Sequence, residues 1–146
     1  MHSREIEYES VVGRAAQRSV VAPHEFQSLL RRSTLGERRP VDELERLARM
    51  LERSDIVVTA RNLESGLLVG LSRCVSDFAY CCYCSDLAVD EHYQRQGIGK
   101  RLLELSRAAA GDECNFLLVA APKARDYYPH LGMQPVDACF SWPRAR

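Results

Sequence analysis

Seven consecutive residues, Gln94-Arg95-Gln96-Gly97-Ile98-Gly99-Lys100, have the composition and the placement of an anion-binding turn. They join an apolar run ending in Leu87-Ala88-Val89 to a segment patterned as a helix over residues 98–110. Glycines at such a junction let successive backbone N–H groups point one way, and the helix N-terminus behind them adds partial positive charge. Phosphate oxygens can rest there without a dedicated lysine, so the turn predicts a phosphorylated ligand. What the turn lacks narrows the ligand further. A P-loop carries a Gly five residues before its Gly-Lys pair and a Ser or Thr after it; Gln94 and Arg101 stand at those places. The dinucleotide pattern G-x-G-x-x-G fails as well, because Leu102 replaces the third Gly and the turn lies far from any first strand.

The pattern that remains, Gln/Arg-x-x-Gly-x-Gly/Ala, is carried by Gln94, Gly97 and Gly99. It resembles the pyrophosphate loop of the GNAT superfamily of acetyl-CoA-dependent N-acetyltransferases. A second segment supports the resemblance. Ala124-Arg125-Asp126-Tyr127-Tyr128-Pro129-His130-Leu131-Gly132-Met133 follows a strand-like run over residues 116–120. It is similar to the superfamily's A-x-x-F-Y-x-x-x-G-F, with Tyr127 in place of Phe and Met133 in place of the last Phe. The likeness covers residues 56–135, whereas the N-terminal part matches only in being helical.

The resemblance implies one GNAT domain over residues 1–146 with an α/β (α+β) acyl-CoA acyltransferase fold. Its sheet would be mixed and mostly antiparallel, with a central parallel strand pair flanked by helices. It implies acetyl-CoA as cosubstrate, its pyrophosphate held by the loop opened by Gln94, through backbone N–H groups of Gln96, Gly97, Ile98, Gly99 and Lys100. A Cβ at Gly97 or Gly99 would obstruct the close approach. The pantetheine arm would meet backbone groups of Leu87 and Val89, where the strand before the loop often bulges.

Acetyl transfer needs a neutral amine, a polarised thioester carbonyl and a proton for the departing thiolate. Tyr128 matches the family tyrosine that protonates the CoA sulfur, and the resemblance gives it that role. Tyr127 matches an apolar family position and is expected in the core. Two carboxylates could bind the substrate ammonium or relay its proton through water: Asp86, just before the strand segment that should face the acetyl group, and Asp77, in the preceding turn. Both also suit ordinary turn or cap roles. His92 and His130 are expected to be exposed and structural. A finer likeness joins Val69-Gly70, Ser76-Asp77, Asp86, Asn115 and the Tyr93-Gln94-x-Gln96-Gly97-x-Gly99-Lys100 run to a subgroup that includes plant chloroplast arylalkylamine (serotonin-type) acetyltransferases and bacterial relatives. Ala121 departs from it, standing where those plant enzymes carry an acid.

Positioning these residues requires a particular set of elements. A short strand fits residues 5–10, and Phe26, Leu29 and Leu30 after Pro23 predict a helix ending near Gly36. Asp42 followed by Glu45 reads as an N-cap, opening a second helix that runs to Arg53 with Val41, Leu44, Ala48 and Leu51 at helical spacing. Runs over 56–60 and 67–75 flank Asn62-Leu63-Glu64-Ser65-Gly66, a hairpin turn. Ser76-Asp77 turns the chain into a strand over 80–89. The glycine loop, its helix, the strand over 116–120, the Tyr-Tyr helix and a last strand over 138–142 complete the series. Strand, helix crossover and strand imply a parallel pair.

At 146 residues the chain suits one domain. Twenty basic and twenty acidic residues cancel, so no net field favours nucleic acid or an anionic membrane. The cluster Arg31, Arg32, Arg38, Arg39, interrupted by Glu37, reads as solvated surface. Met1-His2-Ser3-Arg4-Glu5 opens no apolar stretch, and no run approaches the roughly twenty apolar residues of a membrane span. Of six cysteines, Cys81, Cys82 and Cys84 crowd one apolar run. Neighbours on a strand face opposite ways and no C-x-x-C pair occurs, so neither zinc nor a disulfide is expected. Reduced thiols fit a cytoplasmic location. Cys82 and Cys84 share one face, and one of them could line a substrate pocket.

These readings predict an N-acetyltransferase that moves acetyl from acetyl-CoA to a primary amine of a small molecule, with a polypeptide N-terminus or lysine as a variant substrate. The alternative is a GNAT-fold domain that binds acyl-CoA as a sensor or interaction module without turnover. Family members often dimerise, so a homodimer is a further expectation.

Overall fold

The β-type runs pair in chain order into a five-stranded sheet, β1 (Ile6–Val12), β2 (Ile56–Asn62), β3 (Leu68–Ser76), β4 (Cys81–Val89) and β5 (Asn115–Leu118). The computed structural model describes residues 5–146; residues 1–4, where no leader is expected, lie outside the described residues. β1 to β4 are antiparallel neighbours and β5 is parallel to β4. From β2 onward the direction follows from the connection: a hairpin reverses the chain, whereas a single helix crossover returns it to the same end. Here the crossover is α3 (Ile98–Ala110).

Helices cover both faces of the sheet, which is why residues 56–60 of β2 are buried without alternation. Ile56, Val58 and Ala60 pack with Ile98 and Leu102 of α3. Val57, on the other face, packs with Phe26, Leu29 and Leu30 of α1 (Pro23–Arg32) and Leu47 of α2 (Leu44–Glu52). Between β2 and β3 the turn closes as its sequence requires. Asn62 Oδ1 accepts the N–H groups of Glu64 and Ser65, and Gly66 takes φ +76°.

One irregularity decides what the site can contain. Arg73 of β3 pairs with Asp86, but the next residue, Cys74, pairs with Cys84, so Ser85 is an extra residue on β4. A bulge shifts the side-chain alternation. Cys82 and Cys84 therefore face the α3 side, while Asp86 and Ala88 face α1 and α2.

Two expectations need correction. Asp42 does not cap α2: Glu43 is the N-cap, without a side-chain bond, and Asp42 pairs with Arg31 on the surface. The helix starts one residue later than an Asp42 cap would place it. Residues 138–142 form no strand, and Phe140 and Trp142 are 91% and 101% exposed. A strand exists by pairing. The open edge of β5 is four residues long, and Pro135 and Pro143 bracket the segment with positions that have no N–H to donate. Among the described residues, no helix is long and apolar enough to cross a membrane.

Candidate active site

The glycine loop folds as its composition dictates. Arg95 and Gly97 take φ +64° and +82°, and Gly97 is the left-handed N-cap of α3. The first intrahelical bond runs from Arg101 N–H to the Gly97 carbonyl at 3.0 Å. The N–H groups of Ile98, Gly99 and Lys100 consequently have no acceptor within the helix and point out of its first turn. Gln94 ties the loop to the sheet, its Nε2 donating to the Val89 carbonyl at 3.2 Å. Beneath it, buried Asp90 accepts the His92 N–H at 2.8 Å and a bond from Arg32. Gly70 lets α3 press close: a Cβ there would lie 3.0 Å from Ile98 Cγ2 and Leu102 Cδ1.

A cavity of about 610 Å³ opens on this loop, within the range of small-molecule sites. Its walls come from β4 at and beyond the bulge, from the loop, from the end of β5, from α4 (Tyr127–His130), and from the segment between α1 and α2. Of the expected cofactor residues, Leu87, Val89, Gln94, Gly97, Ile98, Gly99 and Lys100 line it, and Gln96 lies beside them in the loop. Cys84 lines it too, as the shared strand face suggested.

Tyr128 is on the wall, half-buried, and burial pushes its phenol up to about 12. It therefore keeps its proton at neutral pH. Its neighbour Tyr127, 5.3 Å away edge-to-face, is exposed and not part of the core. Unlike the Phe it replaces, Tyr127 has a hydroxyl, which lies 3.1 Å from where a Gly99 Cβ would be.

The two carboxylates part company. Asp77 is fully exposed in the β3–β4 turn. Its Oδ1 accepts the N–H groups of Ala79, Tyr80 and Cys81, and these bonds hold its carboxyl down at about 2. It does not line the cavity. Asp86 is buried, with one oxygen bonded to Arg39 Nε and the other to Arg73 Nε, both at 2.5 Å. It too is absent from the wall, because the bulge turns it to the other face. Arg39 does line the cavity, and its Nη2 donates to the Ser85 carbonyl at 2.6 Å. The reading of residues 31–39 as solvated surface therefore fails for Arg32 and Arg39, which reach buried acids. No local signal reveals this, since Arg39 and Asp86 are 47 residues apart.

The chemistry of this donor set suits a phosphorylated acyl carrier. N–H groups and cations meet at one end, the apolar wall of Leu87, Val89 and Leu118 runs from them, and a Cβ on Gly97 would project into open space. Among the described residues, no group of three or more His, Cys, Asp or Glu could hold a metal ion.

A model of the acetyltransferase (GNAT) domain matches residues 52–135. The chain belongs to the GNAT acetyltransferase family. That family uses acetyl-CoA. Over 108 residues it is 32% identical to histone acetyltransferase TAP1 of Glycine max, a match covering 66% of this chain and 46% of that protein. The match thus spans less than half the length of that curated relative. The fold matches a GNAT-family acetyltransferase of Streptococcus pneumoniae TIGR4 with TM-score 0.71 at 22% identity, covering 97% of this chain and 100% of that one. It also matches an aminoglycoside acetyltransferase from an uncultured soil metagenomic sample, solved with sisomicin, with TM-score 0.66 at 21% identity over 95% and 96% of the two chains.

Proposed function

We propose that this GNAT acetyltransferase moves an acetyl group from acetyl-CoA to a primary amine of a small molecule, residues 1–146 acting as one transferase domain. The observation that carries the reading is Tyr128, a phenol held protonated by burial on the wall of the cavity that also takes in the glycine loop and the bulged strand β4. In this reading the N–H groups of Gln96, Gly97, Ile98, Gly99 and Lys100 hold the pyrophosphate, and backbone groups of Leu87 and Val89 hold the pantetheine arm. Acetyl-CoA supplies an acyl carbon already activated as a thioester. A C–N bond forms as the C–S bond breaks, and Tyr128 hydrogen-bonds the departing sulfur and passes its proton there. The proton leaving the nitrogen returns to the Tyr128 oxygen through water, which offsets the weak acidity of so high a phenol.

Neither carboxylate takes a proton in this reading. Asp77 caps a turn and Asp86 holds two arginines, so the ammonium gives its proton to water. Six free cysteines support a reducing compartment such as the cytoplasm.

The test has two parts. Acetyl-CoA is expected to raise Tm, since a ligand at a hundred times its Kd stabilises the native state by about 2.7 kcal/mol. Gly97→Glu and Gly99→Glu should abolish that rise by placing bulk and negative charge where pyrophosphate lies. Thiol release from acetyl-CoA across an amine panel then separates enzyme from sensor: binding without release from any amine would refute the transferase.

A further inference from the structure

We propose that the acceptor is a small amine carrying its own anionic group beside the reacting nitrogen, as an α-amino acid does, and that Arg39 recognises that group; this rests on the transferase reading above. Among the described residues, the cavity wall carries Arg39, Arg95, Lys100 and Lys123 and no Asp or Glu. In a chain whose charges cancel, a wall of one sign focuses field on its contents. Lys123 stands in the turn before α4, and Arg95 and Lys100 belong to the glycine loop, at the cofactor end. Arg39 does not. It is fixed at Ser85, four residues back along β4 from Val89, where the loop is tied. At the rise of a strand that is roughly 13 Å away. Arg39 thus stands away from the glycine loop, beside Ser85.

Its guanidinium is held in place by three bonds. Nε donates to Asp86 Oδ1, Nη2 to the Ser85 carbonyl, and Nη1 to the Arg38 carbonyl at 2.9 Å. A guanidinium has five N–H groups, so one N–H on each Nη remains for a ligand. The charge also remains. Asp86 is 1% exposed and shared with Arg73, so one carboxylate faces two cations and the cluster stays net positive. A carboxylate on the acceptor would accept charge-assisted bonds from a fork that is already oriented. The same field acts on the nitrogen: positive surroundings disfavour an ammonium, which yields the neutral nucleophile without a carboxylate base. A polycationic acceptor would bring several charges to a wall with no acid to meet them. The acceptor class of the soil-metagenome relative solved with sisomicin is therefore expected to be refused here.

Thiol release from acetyl-CoA by the full chain tests this with matched acceptors: phenylalanine with phenethylamine, tryptophan with tryptamine, serine with ethanolamine, and spermidine and sisomicin as polycations. For at least one pair kcat/KM should favour the amino acid by about 10- to 100-fold, and both polycations should be poor acceptors. Arg39→Gln should bring that ratio to about one by raising KM for the amino acid, and Arg39→Lys should keep part of it. Should Arg39→Gln fail to fold, Arg39→Lys, which keeps a cation beside Asp86 but loses the fork, reads the same ratio, and a ratio it leaves unchanged overturns the proposal. A decarboxylated amine preferred in every pair, a polycation as best acceptor, or a ratio untouched by Arg39→Gln overturns the proposal and leaves the transferase standing. Stabilisation by acetyl-CoA with no thiol release from any acceptor overturns both.

Discussion

Tyr128 and Asp77 show how environment sets the use of a titratable side chain. Burial raises the Tyr128 phenol, so it stays protonated across the working pH range and offers a hydrogen bond wherever negative charge develops. Tyr128→Phe is expected to keep the acetyl-CoA thermal shift and lower kcat by about 10²–10⁴-fold. Wild-type kcat in that variant would eliminate the donor. Asp77 shifts the other way, to about 2 from an ordinary 3.8, because three backbone N–H groups favour its ionised form. Its contribution to stability is present above the ordinary value and is lost as pH falls through about 2. Asp77→Ala should therefore lower Tm at pH 7, and the variant and wild-type melting curves should converge as the pH approaches 2. A Tm difference independent of pH would contradict the turn-cap role.

At the scale of elements, the site depends on how α3 meets the sheet. The helix can present its first-turn N–H groups to the cavity only because Gly70 of β3 leaves room for Ile98 and Leu102. Gly70→Ala should cost about 1–3 kcal/mol through overpacking and reduce the acetyl-CoA shift by displacing the loop. Gly97→Ala acts differently. No protein atom lies within 4 Å of the new Cβ, so the penalty is backbone strain at φ +82°, roughly 1–2 kcal/mol. Urea denaturation reads both, and equal stability of Gly97→Ala and wild type would mean that the left-handed turn is not needed.

At the scale of the molecule, one buried ion cluster joins the two halves of the fold. Arg39 comes from the segment between α1 and α2, Arg73 from β3 and Asp86 from β4, and the three meet under the bulge. Removing one member of such a cluster leaves buried charge without its partner, which costs about 3–5 kcal/mol. Asp86→Ala should lose stability on that scale in denaturant melts. If Asp86 is structural, Asp86→Asn should leave the acid limb of the pH–rate profile in place; a moved limb would make it the base after all.

The sequence by itself determined the glycine loop, the helix behind it, the parallel β4–β5 pair and Tyr128 as donor candidate. Each is written over a short stretch: glycines where φ must be positive, a period of 3.6 after them, a crossover between two apolar runs. The Asn62–Gly66 turn is legible for the same reason. Only the tertiary structure decided that Ser85 bulges, that Asp86 is thereby turned from the cavity onto Arg39 and Arg73, that Tyr127 lies exposed beside Gly99, and that residues 138–142 stay unpaired. A bulge is a mismatch of register between two strands, an ion cluster requires three elements to dock, and a strand requires an edge to pair with. None of these is a property of a segment alone, so local propensity and spacing carry no record of them.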